Sequence, residues 1–251
     1  MRVTKLYLIR HGQAHCNVPP YGTVAGPNGD KGLTPLGVRQ AERLRDRLAA
    51  TGEIAADVLI ASTLRRAMQT AQIIAPALGG LPIVPDDDVQ EMRVGDFDGL
   101  PWEQVKEQWA DHRVDPYRPL GPGGENWPRF HVRVAEALDR IVAEHAGKNV
   151  VVVCHGGVVD ASFAYFFGLP TLAPGKSGLY TANTSITQWE EEPHDGFSLR
   201  WRLVRYNDDL HVRDLDAPER LGWVRLASGE RPGGNWGRDA SAEGEAEECA
   251  S

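Results

Sequence analysis

The run Asn149–Cys154, NVVVVC, constrains the chain most. Four consecutive valines show no alternation of apolar and polar residues, so both faces of such a strand must be covered. That is the demand of a central strand in a mainly parallel sheet with helices on either side. The run stops at His155-Gly156-Gly157. Two other apolar runs end in the same manner. Residues 3–9 (VTKLYLI) lead into Arg10-His11-Gly12, and residues 57–61 (DVLIA) lead into Ser62 and Arg66. In open parallel sheets, ligands bind at the carboxyl ends of the strands. If the three strands are neighbours, Arg10, His11, Arg66 and His155 converge, with helix N-termini adding N–H groups and positive dipole ends.

Between the runs lie helical patterns, which defines an α/β fold, expected as three α/β/α layers around a mainly parallel sheet. Thr34-Pro35 reads as N-cap and first position of a helix with Ala41, Leu44 and Leu48 on its buried stripe. Ser62 reads as the cap of a helix over 63–77. Phe130, Val134, Leu138 and Ile141 share one face of a longer helix. A short helix is expected over 101–109, another over 158–167, and two closing strands over 186–190 and 197–206, joined around His194-Asp195-Gly196. Residues 18–32 and 113–124, rich in Pro and Gly, read as loops. Residues 80–100 show no clear period.

With 251 residues, the chain can bury a large core as one domain, expected over 1–227. Residues 228–251 read as an acidic, disordered tail; five acids and no base fall within 239–251. The chain carries 27 basic and 35 acidic residues, a net charge of −8, which argues against a nucleic-acid partner. No run approaches the ~18 apolar residues of a membrane span. Three cysteines (Cys16, Cys154, Cys249) form no CxxC pair, so a reducing cytoplasm is the expected location. Oligomeric state is not legible.

Taken singly, the strand-end residues carry little: an RHG tripeptide is common, and Arg66 reads as solvated. Jointly they describe two histidines and two arginines facing helix ends, a site for a dianionic oxyanion such as phosphate. Leu8-Ile9-Arg10-His11-Gly12-x4-Asn17 resembles the signature of the histidine phosphatase superfamily, also called the phosphoglycerate mutase-like fold. Further blocks follow in family order: Leu33-Thr34-Pro35-Leu36-Gly37 with Gln40-Ala41, Ser62-x-Leu64-x-Arg66-Ala67-x-Gln69-Thr70-Ala71, Glu91-x3-Gly95-x3-Gly99, Gly123-Gly124-Glu125, and Val152-x-Cys154-His155-Gly156-Gly157. Together they cover about residues 3 to 190 and are highly specific.

The resemblance implies that His11 is a nucleophile forming phosphohistidine, with Arg10, Arg66, His155 and Asn17 binding phosphate. Glu91 is implied as acid and then base; Asp96 or Asp98 has the chemistry to serve instead, but Glu91 is preferred. It further implies a phosphomonoester hydrolase for a small phosphorylated metabolite, needing no cofactor. The nearest rival is a phosphoglycerate mutase; the block Glu91-Met92-Arg93-Val94-Gly95 departs from the usual mutase sequence and favours a phosphatase. A third reading, a catalytically silent binding module, fits poorly because every implied catalytic position is filled. Segments 18–32 and 93–131 are expected to cover the site. Asn126 stands where relatives carry Ser, so local capping is expected to differ. His15 and Cys16 beside His11 suggest a metal pair, but the segment follows a strand, and no metal requirement is expected. Cys154 reads as a small buried residue.

Overall fold

In the computed structural model, residues 2–18, 22–169, 179–194 and 198–215 are described. Six strands form one sheet: β1 (Lys5–Arg10), β2 (Val58–Ser62), β3 (Ile83–Asp86), β4 (Asn149–Cys154), β5 (Ile186–His194) and β6 (Ser198–Asp208). Their order is β3-β2-β4-β1-β5-β6. The four from β3 to β1 are mutually parallel, and β5 and β6 add an antiparallel edge. The strands that end at His11, Ser62 and His155 are therefore neighbours, as the strand-end pattern predicts.

Successive β1 side chains divide the core in two. Tyr7 and Ile9 pack with Leu44 and Leu48 of α1 (Pro35–Thr51) and with Ala67, Ala71 and Ile74 of α2 (Arg65–Ile74). Leu6 and Leu8 pack on the opposite face with Phe130, Val134, Leu138 and Ile141 of α4 (Trp127–Glu144) and with Val158 and Val159 of α5 (Gly156–Phe167). All four of those α4 residues are fully buried, each contributing about 1.5–3 kcal/mol of burial. The valines of β4 divide likewise, Val150 and Val152 to one face and Val151 and Val153 to the other, which is why the run does not alternate. The three layers are those of the phosphoglycerate mutase-like fold.

Several boundaries move. Thr34 caps α1 as expected, its hydroxyl accepting from Gly37 N at 3.0 Å. Ser62 does not cap α2: it is the last residue of β2, and the N-cap position falls to Leu64. The helix expected to run to residue 77 stops at Ile74 and tightens into a 3₁₀ turn, Ala75–Leu78, where Pro76 lacks an N–H. The expected short helix is longer, α3 (Trp102–Val114). Strand β3 was hidden in the aperiodic 80–100 segment, a four-residue edge containing Pro85, as edge strands allow. Asn126 does cap α4, its Oδ1 accepting from Arg129 N at 3.0 Å. The closing strands pair as an antiparallel hairpin, but its tip at 195–197 lies outside the described residues, as do Tyr21 and the 228–251 tail. No described helix is long and apolar enough to cross a membrane.

Candidate active site

Arg10 and Cys154 are register partners, and Ala61 pairs with Val153, so Arg10, Ser62 and Cys154 lie in one row across the sheet. The next residues, His11 and His155, leave the sheet together at its carboxyl edge. Their ring centroids are 5.1 Å apart, and both are buried. Gly12 lets this exit occur. A Cβ there would collide with the Gly37 carbonyl oxygen, so the first turn of α1 crosses the chain at a distance only glycines permit.

The His11 ring is fixed at both nitrogens. Nδ1 lies 2.7 Å from Gly12 O, a pure acceptor, so Nδ1 is the protonated nitrogen. Nε2 then carries the lone pair and accepts from Arg66 Nε at 3.2 Å. Burial, followed by the charges of Arg66 and Arg10, holds the imidazole well below its usual pKa. Burial and the same arginines hold His155 well below it too. His155 Nε2 is hydrogen bonded to Ser62 Oγ at 2.8 Å, while its Nδ1 is buried with no hydrogen-bond partner among the described residues. His155 occupies the N-cap position of α5, with no hydrogen bond from its own side chain to the helix.

Two acids organise the cations and the helix end. Asp30 is the partner of Arg66: its Oδ2 accepts from Arg66 N at 3.0 Å and from Arg66 Nη1 at 3.1 Å. The pair is almost completely buried, at 4% and 1% side-chain exposure. Glu91 reaches α5 from another segment, Oε2 accepting from Gly157 N at 3.1 Å and Oε1 from Met92 N at 3.0 Å. A Cβ on Gly157 would collide with that carboxyl. The strand preceding His11 is held by the 181–184 segment. Arg10 Nη1 donates to Thr181 O, Thr184 N to Arg10 O at 2.9 Å, and Asn183 Nδ2 to His11 O at 2.9 Å. Arg10 Nε is buried and has no hydrogen-bond partner among the described residues.

Five of the six expected residues, His11, Arg10, Arg66, His155 and Glu91, are thus gathered around the carboxyl edge of β1 and β4 and the start of α5. Asn17 is differently engaged: its Oδ1 accepts from Ala14 N at 3.0 Å and closes the turn after the signature. Asp98, considered beside Glu91, accepts from Asn28 N and Gly29 N, both at 2.8 Å, and so shapes the 26–29 turn. Glu125 of the Gly-Gly-Glu block braces Glu91 through Arg133, which bonds both Glu125 oxygens at 2.6 and 2.7 Å and donates to Gln90 O and Glu91 O. His15 and Cys16 lie in a single 3₁₀ turn, not on a helix carrying His11. Among the described residues, no three His, Cys, Asp or Glu side chains cluster as metal ligands would. The buried Cys154 thiol is pushed up by desolvation. Sequence reasoning missed Asp30, the 181–184 segment and Asp160, one turn into α5. Burial and the charge of Glu91 raise the Asp160 carboxyl to about 7 against the opposing pull of Arg10.

Paired strand-end histidines, the buried Arg66, the half-buried Arg10 and a carboxylate at a helix N-terminus form a site with the chemistry to hold a phosphoryl group on an α/β sheet. The chain belongs to the histidine phosphatase superfamily (branch 1), whose family model matches residues 6–209. It is 33% identical over 166 residues to phosphoglycerate mutase-like protein 4 of Arabidopsis thaliana, covering 63% of this chain and 69% of that one. It is 29% identical over 221 residues to a probable phosphoglycerate mutase, GpmB, of Yersinia pestis, covering 86% and 98%. Among solved structures, a mycobacterial glucosyl-3-phosphoglycerate phosphatase in complex with VO3 superposes with a TM-score of 0.65 at 29% identity, over 81% of this chain and 98% of that one. Bacillus stearothermophilus YhfR gives 0.67 at 31% identity, over 83% and 99%.

Proposed function

We propose that the protein hydrolyses a phosphomonoester of a small metabolite through a phosphohistidine on His11. The observation that carries this reading is the His11 ring, buried and neutral, with Nδ1–H tied to Gly12 O and a lone pair on Nε2. A histidine held in that tautomer is ready to attack phosphorus without first losing a proton. In the resting site, Arg66 covers the lone pair. A phosphate oxygen offers Arg66 a charged acceptor, which draws the guanidinium off Nε2 and onto the substrate.

Nε2 then attacks phosphorus and the bond to the ester oxygen breaks. Arg66 and the Arg10 Nε–H, which has no hydrogen-bond partner among the described residues, neutralise charge on the phosphoryl oxygens. Ser62 Oγ already accepts from Leu64 N, so its proton is free for His155 Nε2. That leaves His155 Nδ1–H as a further donor. Glu91 protonates the leaving alkoxide and afterwards takes a proton from the water that attacks phosphohistidine. Phosphate and the alcohol are released. Asn17 completes the phosphate site through its amide N–H groups, and 18–32 and 93–131 cover it. The first of these already touches Arg66, since Ala25 O accepts from Nη1 at 3.2 Å.

The test is phosphate release by the wild type and His11→Ala from p-nitrophenyl phosphate, 3-phosphoglycerate, sugar phosphates and nucleotides. Turnover with acid-labile, heat-sensitive label on wild type only, and loss of at least about 10³-fold in the variant, is the expected result. Equal release by both proteins refutes the nucleophile. Interconversion of 2- and 3-phosphoglycerate faster than phosphate release makes the protein a mutase, as the names of two relatives would have it.

A further inference from the structure

The peptide joining His11 to Gly12 lies between the ring of the proposed nucleophile and the carbonyl that orients it. Its N–H donates to Thr70 Oγ1 at 3.0 Å, and its own carbonyl, His11 O, accepts from Asn183 Nδ2 at 2.9 Å and from Thr184 N at 3.3 Å. Gly12 O, one peptide further on, orients the ring through Nδ1. Turning the pinned peptide would therefore turn the ring. Thr184 N also donates to Arg10 O at 2.9 Å, and it does so with Thr184 in the left-handed region, at φ +58°. A β-branched residue is strained there, and such strain persists only where the surroundings hold it. Thr184 is fully buried, and the group bonded to its side chain is His211, in the 3₁₀ turn Leu210–Val212 that follows β6. His211 Nε2 lies 3.0 Å from Thr184 Oγ1, and its Nδ1 lies 3.4 Å from Arg47 Nη1. A guanidinium only donates, so Nδ1 accepts and Nε2 carries the proton. Thr184 Oγ1 gives its own proton to Asn183 O at 2.7 Å and is left to accept from His211. Arg47 is in turn fixed by paired bonds to Glu53, at 2.6 and 3.0 Å, and to Asp208, at 2.9 and 2.6 Å.

We infer that His211 is a positioning residue for His11: it locks Thr184 in its left-handed conformation, and Thr184 with Asn183 holds the peptide that sets the angle of the nucleophile. This deepens the proposed function and rests on His11 being the nucleophile of that reaction. His211 acts through Thr184 and not on the substrate. Without it, Thr184 Oγ1 loses its donor and the residue relaxes toward negative φ, which turns its N–H away from the two carbonyls. The His11–Gly12 peptide is then free to tilt, and Nε2 leaves the line of attack on phosphorus. The cations are held independently. Arg10 keeps its register with Cys154 and its bond to Thr181 O, and Arg66 keeps Asp30. Loss of His211 should therefore slow the attack far more than it weakens the grip on the anion.

The test is the rapid-quench rate of phosphohistidine formation from p-nitrophenyl phosphate, set beside the Kd of inorganic phosphate by calorimetry, both on the full chain. His211→Ala should form phosphohistidine about 10- to 100-fold more slowly, the scale of a misaimed reacting group, with the Kd of phosphate changed by less than about threefold. His211→Gln carries an amide N–H about as far as Nε2 and should return the rate to within about fivefold of wild type. In a Thr184→Gly background the left-handed conformation has no steric cost, so removing His211 there should slow the step by less than about threefold further. If His211→Ala does not fold, His211→Asn, whose amide is too short to reach Thr184, takes its place in every comparison. Equal losses in the two backgrounds, no recovery by glutamine, or a Kd weakened as much as the rate would reduce His211 to a packing residue and overturn the inference. Absence of phosphohistidine in wild type sinks the proposed function itself, whereas a labelled wild type matched in rate by His211→Ala sinks only the role of His211.

Discussion

Asp30 sits in a loop of glycines and carries no motif, yet the position of Arg66 depends on it. Its carboxylate accepts from three N–H groups: Gly32 N at 2.8 Å, and Arg66 N and Nη1 at 3.0 and 3.1 Å. Both members of the ion pair are nearly sealed from solvent. Removing one partner of such a pair leaves a buried charge uncompensated, at a cost of roughly 3–5 kcal/mol. Arg66 would keep its bonds to Ala25 O and His11 Nε2, so the lower end applies, about 3 kcal/mol for Asp30→Ala. Asp30→Asn keeps one acceptor oxygen but turns an NH₂ toward N–H donors, and should cost nearly as much.

The measurement is urea unfolding of wild type and both variants at pH 7, with and without inorganic phosphate. About 3 kcal/mol is a large part of the 5–15 kcal/mol that holds a typical domain together. Because Arg66 also holds Nε2 of His11, the proposed nucleophile, kcat/KM should fall by about 10²-fold, the scale expected when a reacting group is misplaced by about 1 Å. Phosphate should stabilise Asp30→Ala more than wild type, since the bound anion supplies the missing countercharge. A loss below about 1 kcal/mol together with activity within about threefold of wild type would refute the assignment of Asp30 as the anchor of Arg66.

Two further outcomes follow from the same geometry. His11 and His155 are held neutral well below the ordinary pKa of ~6.5. The unfolded chain therefore binds more protons than the folded one as pH falls through that value, and stability must drop there. The two together contribute a slope of about 2.7 kcal/mol per pH unit below ~6, offset by about 1.4 kcal/mol per unit from the raised Asp160 carboxyl, which gains its proton in the folded state over the same range, so a net fall remains. Urea unfolding between pH 7 and 5 reads it, and a curve flat through pH 6 would contradict neutral histidines. Gly37→Ala places a Cβ against the backbone of Gln13, which lies within the signature. A loss of about 1–3 kcal/mol is expected in thermal melts, with reduced turnover; wild-type stability and turnover would show that the close crossing of Gly12 and Gly37 is dispensable.

What the sequence made legible is what local periodicity encodes. The Phe130, Val134, Leu138 and Ile141 stripe, the Thr34 cap and the β4 valines each follow from residues within one element. The gathering of Arg10, His11, Arg66 and His155 was legible for a topological reason: three strands ended in the same chemistry, and parallel neighbours present such ends on one edge. The missed parts are tertiary. Strand β3 shows no period because an edge of four residues with a proline needs none. Ser62 has the right residue type for a cap, but its hydroxyl is taken by His155 Nε2 and Leu64 N, a competition no local rule displays. Asp30 looks like any other acid until the fold shows it facing a buried guanidinium.

The same distinction explains how the labour is divided inside the site. In the proposed reaction His11, His155, Arg10, Arg66 and Glu91 bear on the phosphoryl group, while Gly12 and Gly37 permit a close approach of backbone. The residues that hold those groups in place, Asp30, Glu125 with Arg133, Ser62 and the 181–184 segment, are fixed only by complementarity to a neighbour. Glu91 illustrates the dependence. Its carboxyl reaches α5 because Arg133 clamps the carbonyls of Gln90 and Glu91 while Glu125 neutralises the clamp. Breaking Glu125 would therefore displace the Glu91 carboxyl through Arg133.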